Sequence, residues 1–239
     1  MNILLYSSGV DSFISYYYLL QERKLTSIIP VYIDMGHKYS HIEKHYVRKY
    51  RPETIFLDLK SLGQYEEYDA FIPVRNLLMC SFVCAHFHKS ANNLTIFLGG
   101  LKDDRISDNN KEIFDLFSTV LSKSVNIQVK IKSAFDFNLT KYDIVKWYYE
   151  DFGGSELQNK TFSCYHPNDK NEDPHCYSCR ACFRRNVSLS TYHLLPFNKK
   201  LLWDYETEVL NNKDQYDETR LKSMLQYFRK IREKSDDIL

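Results

Sequence analysis

Five short apolar runs, separated by stretches whose apolar residues recur at helical spacing, limit what this chain of 239 residues can fold into more than anything else in it. Ile3-Leu4-Leu5-Tyr6 comes first, followed by SIIPVYI (27–33), TIFLDL (54–59), LTIFLGG (94–100) and VNIQVKI (125–131), each short enough for a buried strand. Between them the helical period runs through Phe13, Tyr16, Tyr17 and Leu20, through 40–50, through 74–91 (Leu77, Leu78, Phe82, Ala85) and through 111–123. LTKYDIVKWYYEDFG (139–153) reads as a further helix, with Thr140 at its N-cap and Gly153 at its end. Alternation of this kind predicts an α/β fold, a parallel five-stranded sheet with helices on both faces. Such sheets bind ligands beyond the carboxyl ends of their strands. The turns after Tyr6, Ile33 and Leu98 are therefore the places to look.

Composition supports a packed core and excludes wholesale disorder, with 44% hydrophobic and 15% aromatic residues. The tyrosines of YYYLL belong to that core and to the helix surface. A formal charge of +1, from 32 basic and 31 acidic residues, gives no overall field toward nucleic acid or an anionic membrane. No apolar run approaches a membrane span and no leader pattern opens the chain, so the expected location is the cytoplasm.

The first run stops at Ser7-Ser8-Gly9-Val10-Asp11-Ser12. Read alone, these residues make first of all a turn and an N-cap. The same build also points backbone N–H groups and a helix dipole at one spot, which favours a phosphate. The hydroxyls of Ser7, Ser8 and Ser12 would add donors, and Asp11 would hold Mg²⁺ beside the phosphates. No Gly-Lys-Ser/Thr follows, which excludes a Walker loop.

From Thr161 the composition turns to cysteine, proline and asparagine, which divides the chain into 1–160 and a smaller 161–239. Cys164, Cys176, Cys179 and Cys182 have the spacing of a four-thiolate metal site, and tetrahedral Zn²⁺ with no open position is the reading their ligand type favours. An iron–sulfur cluster is the competing use. His166 and His175 stand nearby as bystanders. Cys80 and Cys84, one helical turn apart among apolar residues, serve core packing. Arg180, Arg184 and Arg185 read as a solvated face, and 218–234 as a charged amphipathic helix in the tail.

The motifs in order resemble a known family. SSGVDS is similar to the Ser-Gly-Gly-x-Asp-Ser pyrophosphate loop of the N-type ATP pyrophosphatases, with Ser8 in place of the first glycine. IDMGHKYSHIE resembles, through Asp34 and Gly36, the Asp-Tyr-Gly-Gln-Arg-His segment of the 7-cyano-7-deazaguanine synthases, with His37 and Lys38 as chemical stand-ins. IPVRN resembles their Pro-x-Arg-Asn helix start through Pro73, Arg75 and Asn76. LTKYDIV resembles their Ser/Thr-Lys-x-Glu-Ile-Val through Lys141, and TFSCYHP…CYSCRAC their cysteine-rich ending. One segment departs. GGLKDDRISDNNKEIF keeps Gly99 and Asp104, with Asp108 in place of a second aspartate, and lacks the family's aromatic, proline and cysteine.

The resemblance implies a Rossmann-like sheet of the adenine nucleotide alpha hydrolase type, followed by a zinc module and a helical tail. It implies ATP as substrate, Mg²⁺, and structural zinc on the four cysteines. ATP would lie on Tyr6, Ser7, Ser8, Gly9, Val10, Asp11 and Ser12, with Asp34 and Gly36. Asp11, Ser12 and Lys141 would carry catalysis, and Arg75, Asn76, Gly99, Asp104 and Asp108 would hold the acyl substrate. The implied reaction adenylates 7-carboxy-7-deazaguanine and converts it with ammonia to the amide and then the nitrile, in a homodimer without membrane or nucleic-acid partners. The altered segment opens a second outcome, in which reaction stops at the amide or joins the acyl group to another amine, even on a protein partner, as in relatives from phage DNA modification and antiphage defence. A transfer-RNA thiolase with an iron–sulfur cluster and a non-catalytic zinc module that binds RNA or protein are the remaining alternatives.

Overall fold

In the computed structural model, which describes residues 1–104, 106–168 and 171–236, strand β1 (Asn2–Leu5) lies at the centre of a five-stranded parallel sheet. On one side stand β2 (Ile29–Asp34) and β3 (Ile55–Asp58), and on the other β4 (Asn93–Leu98) and β5 (Gln128–Ser133), giving the order β3-β2-β1-β4-β5. Ile3 pairs with Ile29 on one edge and with Ile96 on the other. Alternate side chains of β1 and of Tyr6 just after it enter two separate cores, Ile3 and Leu5 on one face, Leu4 and Tyr6 on the other. A strand buried on both faces needs a continuous apolar run rather than an alternating one, which is what Ile3 to Tyr6 supply.

Helices α1 (Val10–Gln21), α2 (Ser40–Tyr50), α3 (Arg75–Phe87), α4 (Lys111–Val125) and α5 (Lys141–Phe152) are the connections that the sequence pattern predicts. Cys80 and Cys84 lie buried in the core on α3, as their apolar surroundings indicate. Two boundaries differ from the sequence reading. The fifth strand begins at Gln128 rather than Val125, because α4 runs on to Val125 and stops only where Asn126 enters the left-handed region at φ 56°. The helix read over 74–91 ends at Phe87 and tightens into a 3-10 turn at His88–Ser90.

After a short helix, α6 (Ser155–Lys160), come α7 (Arg180–Leu189), α8 (Lys199–Asn211) and α9 (Glu218–Asp236), two more helices among the described residues than the single amphipathic one expected there. Phe183 and Val187 of α7, Leu202 and Val209 of α8, and Met224, Tyr227 and Phe228 of α9 form one apolar cluster. Both α7 and α9 also pack on α5, so the tail lies against the sheet domain.

Helix α5 has a complete capping box. Thr140 Oγ1 accepts from the Asp143 N–H at 3.3 Å, and Asp143 Oδ2 accepts from the Thr140 N–H at 2.9 Å. Gly153 closes the helix at φ 72°. The box fixes where Lys141 begins the helix. Thr140→Ala is expected to cost about 1 kcal/mol of unfolding free energy, measured by urea denaturation.

Candidate active site and metal centre

Hydroxyls build the turn after β1. Ser12 Oγ accepts from the Ser7 N–H at 3.2 Å and donates to the Gly9 carbonyl at 3.1 Å. Ser8 lies in the left-handed region at φ 62°, which costs an L residue on the order of 1 kcal/mol and a glycine almost nothing. That is the physical reason for the glycine at this place in the pyrophosphate-loop pattern. Ser8 Oγ is buried without a hydrogen-bond partner among the described residues, while the Ser8 carbonyl accepts from the Phe162 N–H at 3.0 Å. Tyr6, Ser7, Gly9, Val10, Asp11 and Ser12 then form one wall of a cavity of about 270 Å³ at the carboxyl ends of the central strands. Its floor carries Val31, Ile33 and Leu98, and its other walls Arg75, Asn76, Gly99 and Asp104. This is the switch point, where chain order runs outward from β1 to β2 on one side and to β4 on the other.

Asp11, in the cavity wall, pairs with Lys141, which stands outside the cavity lining. Lys141 Nζ stands 3.1 Å from Asp11 Oδ2, which explains a cation in the first turn of α5, where the helix dipole alone would oppose it. Asp103 Oδ1 reinforces the place by accepting from the Lys141 N–H at 3.2 Å. Asp11 Oδ1 is buried and has no hydrogen-bond partner among the described residues. A carboxylate in the cavity wall at a helix N-terminus, with one oxygen that makes no hydrogen bond among the described residues, fits Mg²⁺, which binds through one or two carboxylates and the substrate's phosphates. Gly99 lies against Asp11, where a Cβ would come within 3.2 Å of the Asp11 Cβ, so the glycine sets how near β4 approaches the loop. Burial, then the negative charge of Asp11, pushes the Asp104 carboxyl up to about 6, although it accepts from the Leu101 N–H and from Asn109 Nδ2.

Other expected site residues stand behind the cavity wall. Asp34 accepts from the Gly36 N–H at 3.1 Å and from Lys44 Nζ at 2.7 Å, and its neighbours Met35 and His37 line the cavity in its stead. Gly36 has φ 78°, and a Cβ there would fall 2.3 Å from the Lys60 carbonyl oxygen, so the glycine serves close packing of two turns. Asp108 accepts from the Asn76 N–H and from Asn76 Nδ2, both at 2.9 Å, and thereby caps α3 from outside. That cap is formed within the protein and occupies both oxygens of Asp108. Arg105, in the segment that departs from the family pattern, lies outside the described residues.

Glu43 is one of the cavity residues, with Tyr39 and Asn109, that the sequence reading missed. It sits one turn into α2, accepts from Tyr32 Oη at 3.0 Å and lines the cavity beside His37 and Tyr39. Only its place in that first turn hints at a role, and many solvated glutamates share it. Burial raises its carboxyl to about 7, with the Tyr32 hydrogen bond and Arg75 opposing. The folded state therefore holds this proton more tightly than the unfolded chain, and stability falls as pH rises from about 4.5 to about 7. Glu43→Gln, which keeps an acceptor for Tyr32, is expected to match the parent near pH 4.5. By about pH 8 it should exceed the parent by about 3 kcal/mol, read from paired denaturation curves.

The four cysteines converge as the sequence predicts. All four Sγ atoms lie within 4.8 Å of one another, and Cys176 and Cys182 are 3.9 Å apart. One tetrahedral zinc at about 2.3 Å from each sulfur would space them about 3.8 Å apart, so the set fits a single ion. A multi-iron cluster would hold its thiolates on separate irons and further apart. Cys179 caps α7, and Phe162 and Cys164 pack with Tyr39 and Ala70, which fastens the metal segment to the cavity wall. His175 is no ligand, but its Nε2 accepts from the N–H of Ser163, a cavity residue, at 3.3 Å. Arg185 corrects the expectation of a solvated face. Arg180 and Arg184 are exposed, whereas Arg185 is 2% exposed beneath α7, with Nη2 donating to the Gln158 carbonyl. Cys179→Ser is expected to drop bound zinc from about one per chain to well below, and to lower the melting temperature, because a segment without its own core gains its folding energy from the metal. Elemental analysis and a thermal scan check both.

A hydroxyl-lined loop at the first helix N-terminus, on a sheet of this order, defines the class as a pyrophosphate-loop, ATP-using protein. The particular family follows from the rest of the chain. Residues 53–193, more than half of it, match the family described as queuosine biosynthesis protein QueC. The chain belongs to the QueC family. No curated protein matches it. No described helix is long and apolar enough to cross a membrane.

Proposed function

We propose that the protein is an ATP-dependent carbon–nitrogen ligase that adenylates the carboxylate of 7-carboxy-7-deazaguanine and passes the acyl group to ammonia. The observation that carries this reading is the Asp11–Lys141 pair at the head of α1, with Asp11 in the cavity wall and its Oδ1 without a hydrogen-bond partner among the described residues. A carboxylate resists nucleophiles, whereas AMP leaves readily, so the chemistry needs the α-phosphate held still. The loop from Ser7 to Ser12 and the N-terminus of α1 would hold the pyrophosphate and stabilise the charge that gathers on it. Lys141 would stand beside the same phosphates, and Arg75, half-buried at the start of α3, suits a carboxylate or phosphate from the opposite wall. When bound at Asp11, Mg²⁺ would neutralise part of the polyphosphate charge. The protein's contribution is mainly positioning.

The carboxylate oxygen of the acyl substrate attacks the α-phosphorus and pyrophosphate leaves. Ammonia then displaces AMP to give the amide, and a second adenylation with loss of the amide oxygen gives the nitrile. The Asp108–Asn76 cap favours a second reading. Asp108, expected at the substrate, is spent on the helix start, which supports a reaction that stops at the amide or uses another amine. The close spacing of the thiolates speaks for a zinc-type site and against the thiolase.

Incubation with ATP, Mg²⁺, ammonium and 7-carboxy-7-deazaguanine is expected to yield AMP and pyrophosphate with the nitrile or the amide, read by mass spectrometry. Asp11→Asn and Lys141→Ala are each expected to slow AMP formation about 100-fold, the usual cost of removing one preorganised charge contact. AMP formation unchanged in both variants would remove this site from the reaction.

A further inference from the structure

Beside the nucleotide cavity, α7, α8 and α9 wall a second chamber of about 540 Å³, which shares Asp11 with that cavity and is lined also by Asp103, Lys141 and Arg220. A series of polar contacts runs along this wall. Arg220 Nη1 donates to the Asp103 carbonyl at 2.8 Å, Asp103 Oδ1 accepts from the Lys141 N–H at 3.2 Å, and Lys141 Nζ stands 3.1 Å from Asp11 Oδ2. It joins α9, through the segment after β4 and the first turn of α5, to the head of α1. Both flanks are fixed. Asp217 Oδ1 accepts from the Arg220 N–H at 2.9 Å, which caps α9, and Met224, one turn further on, is buried in the apolar cluster of the tail. The Lys102 N–H donates to the Leu139 carbonyl at 2.9 Å, so the segment carrying Asp103 lies along the start of α5. Helix α9 lies outside the residues 53–193 matched to the family, and Asp103 lies in the segment that departs from its pattern, so this contact is written where the family gives no guide.

We infer that Arg220 is a positioning residue for the pyrophosphate site, which pins Asp103 against the first turn of α5 and so sets where Lys141 meets Asp11. This rests on the adenylating reading above. The capping box satisfies the N–H groups of Thr140 and Asp143 but leaves that of Lys141, the first residue of α5, without an acceptor inside the helix. Asp103 supplies the acceptor. Burial pushes the Asp103 carboxyl up from its ordinary value, and the positive charges of Arg220 and Lys141 oppose that shift. Removing Arg220 frees the Asp103 carbonyl and takes away one of those charges, and the carboxylate is then free to swing from the Lys141 N–H. A contact to the charge that gathers on departing pyrophosphate is worth most when it is already in place. Binding of ATP itself rests chiefly on the loop from Ser7 to Ser12, so the loss falls on kcat rather than on KM.

The test follows AMP formed by the full chain with ATP, Mg²⁺, ammonium and 7-carboxy-7-deazaguanine. Arg220→Ala is expected to lower kcat about tenfold and to move the KM for ATP less than about twofold. Arg220→Lys, which keeps a charged donor for the Asp103 carbonyl, is expected to recover most of the loss. Arg229→Ala, on the same helix at an exposed pair with Glu233, is expected to match the parent. If Arg220 acts through Lys141, the double variant with Lys141→Ala is no slower than Lys141→Ala alone. Deuterium exchange over 139–145 gives a readout that needs no turnover, and is expected to quicken about tenfold in Arg220→Ala while 155–160 stays unchanged. Losses that multiply in the double variant, or exchange over 139–145 that does not move, overturn the positioning role and leave adenylation standing. A parent chain that forms no AMP overturns adenylation, and the exchange result then decides by itself whether Arg220 holds the start of α5.

Discussion

Strand β1 is hydrogen-bonded along both edges and buried on both faces, and the rest of the structure hangs on that double confinement. A four-residue strand can hold the middle of a sheet only if every side chain finds apolar company, and Ile3, Leu4 and Leu5 all do. Its carboxyl end is then the one place where a loop must leave the sheet between strands running to opposite sides. The nucleotide cavity is a consequence of that exit. The Tyr6 N–H still donates to the Val31 carbonyl at 2.8 Å, so the loop departs from a fixed point, and Ser12 ties it back to the start of α1.

Within that frame, charge is what the site concentrates. Asp11 sits at a helix start that favours an anion, Lys141 at one that does not, and each is made stable by the other. Asp104 and Glu43 are held toward their neutral forms, chiefly by burial. Ser8 adds backbone strain and an unpartnered hydroxyl at the same turn. These features cost stability where they stand, and the apolar clusters on both sheet faces offset them. Concentrated strain of this kind is common where a protein binds and reacts.

The metal segment reaches the site through two hydrogen bonds rather than through the metal itself. Phe162 N–H bonds the Ser8 carbonyl, and Ser163 N–H bonds His175, one residue before Cys176. Convergence of the thiolates therefore sets the path of 162–164 along the cavity, which couples a structural ion to the shape of the nucleotide loop. The tail completes the same region from the far side, through the cluster of Phe183, Val187, Met224 and Phe228.

Much of this was legible in order along the chain. The strand runs, the Thr140 cap, the Gly153 stop and the cysteine spacing are local patterns, and local hydrogen bonding and ligand geometry enforce them. The family motifs added the loop, Lys141 and the cysteines as one set. The expected roles of Asp34, Asn76 and Asp108 were less legible, because a polar residue's sequence position does not say whether its partner is a ligand or a backbone N–H 32 residues away. Arg185 looked solvated because a helix's charged face shows only when its neighbours are known. Glu43 gave too weak a signal, since burial alone makes it unusual. The sequence by itself determined the sheet, the phosphate-type turn and the four-thiolate site, each written in contiguous or closely spaced residues. Only the tertiary structure decided that Asp11 meets Lys141, that the metal segment braces the loop, and that α7 to α9 enclose a second chamber. Those contacts join residues more than a hundred apart, where packing rather than local pattern selects the partner.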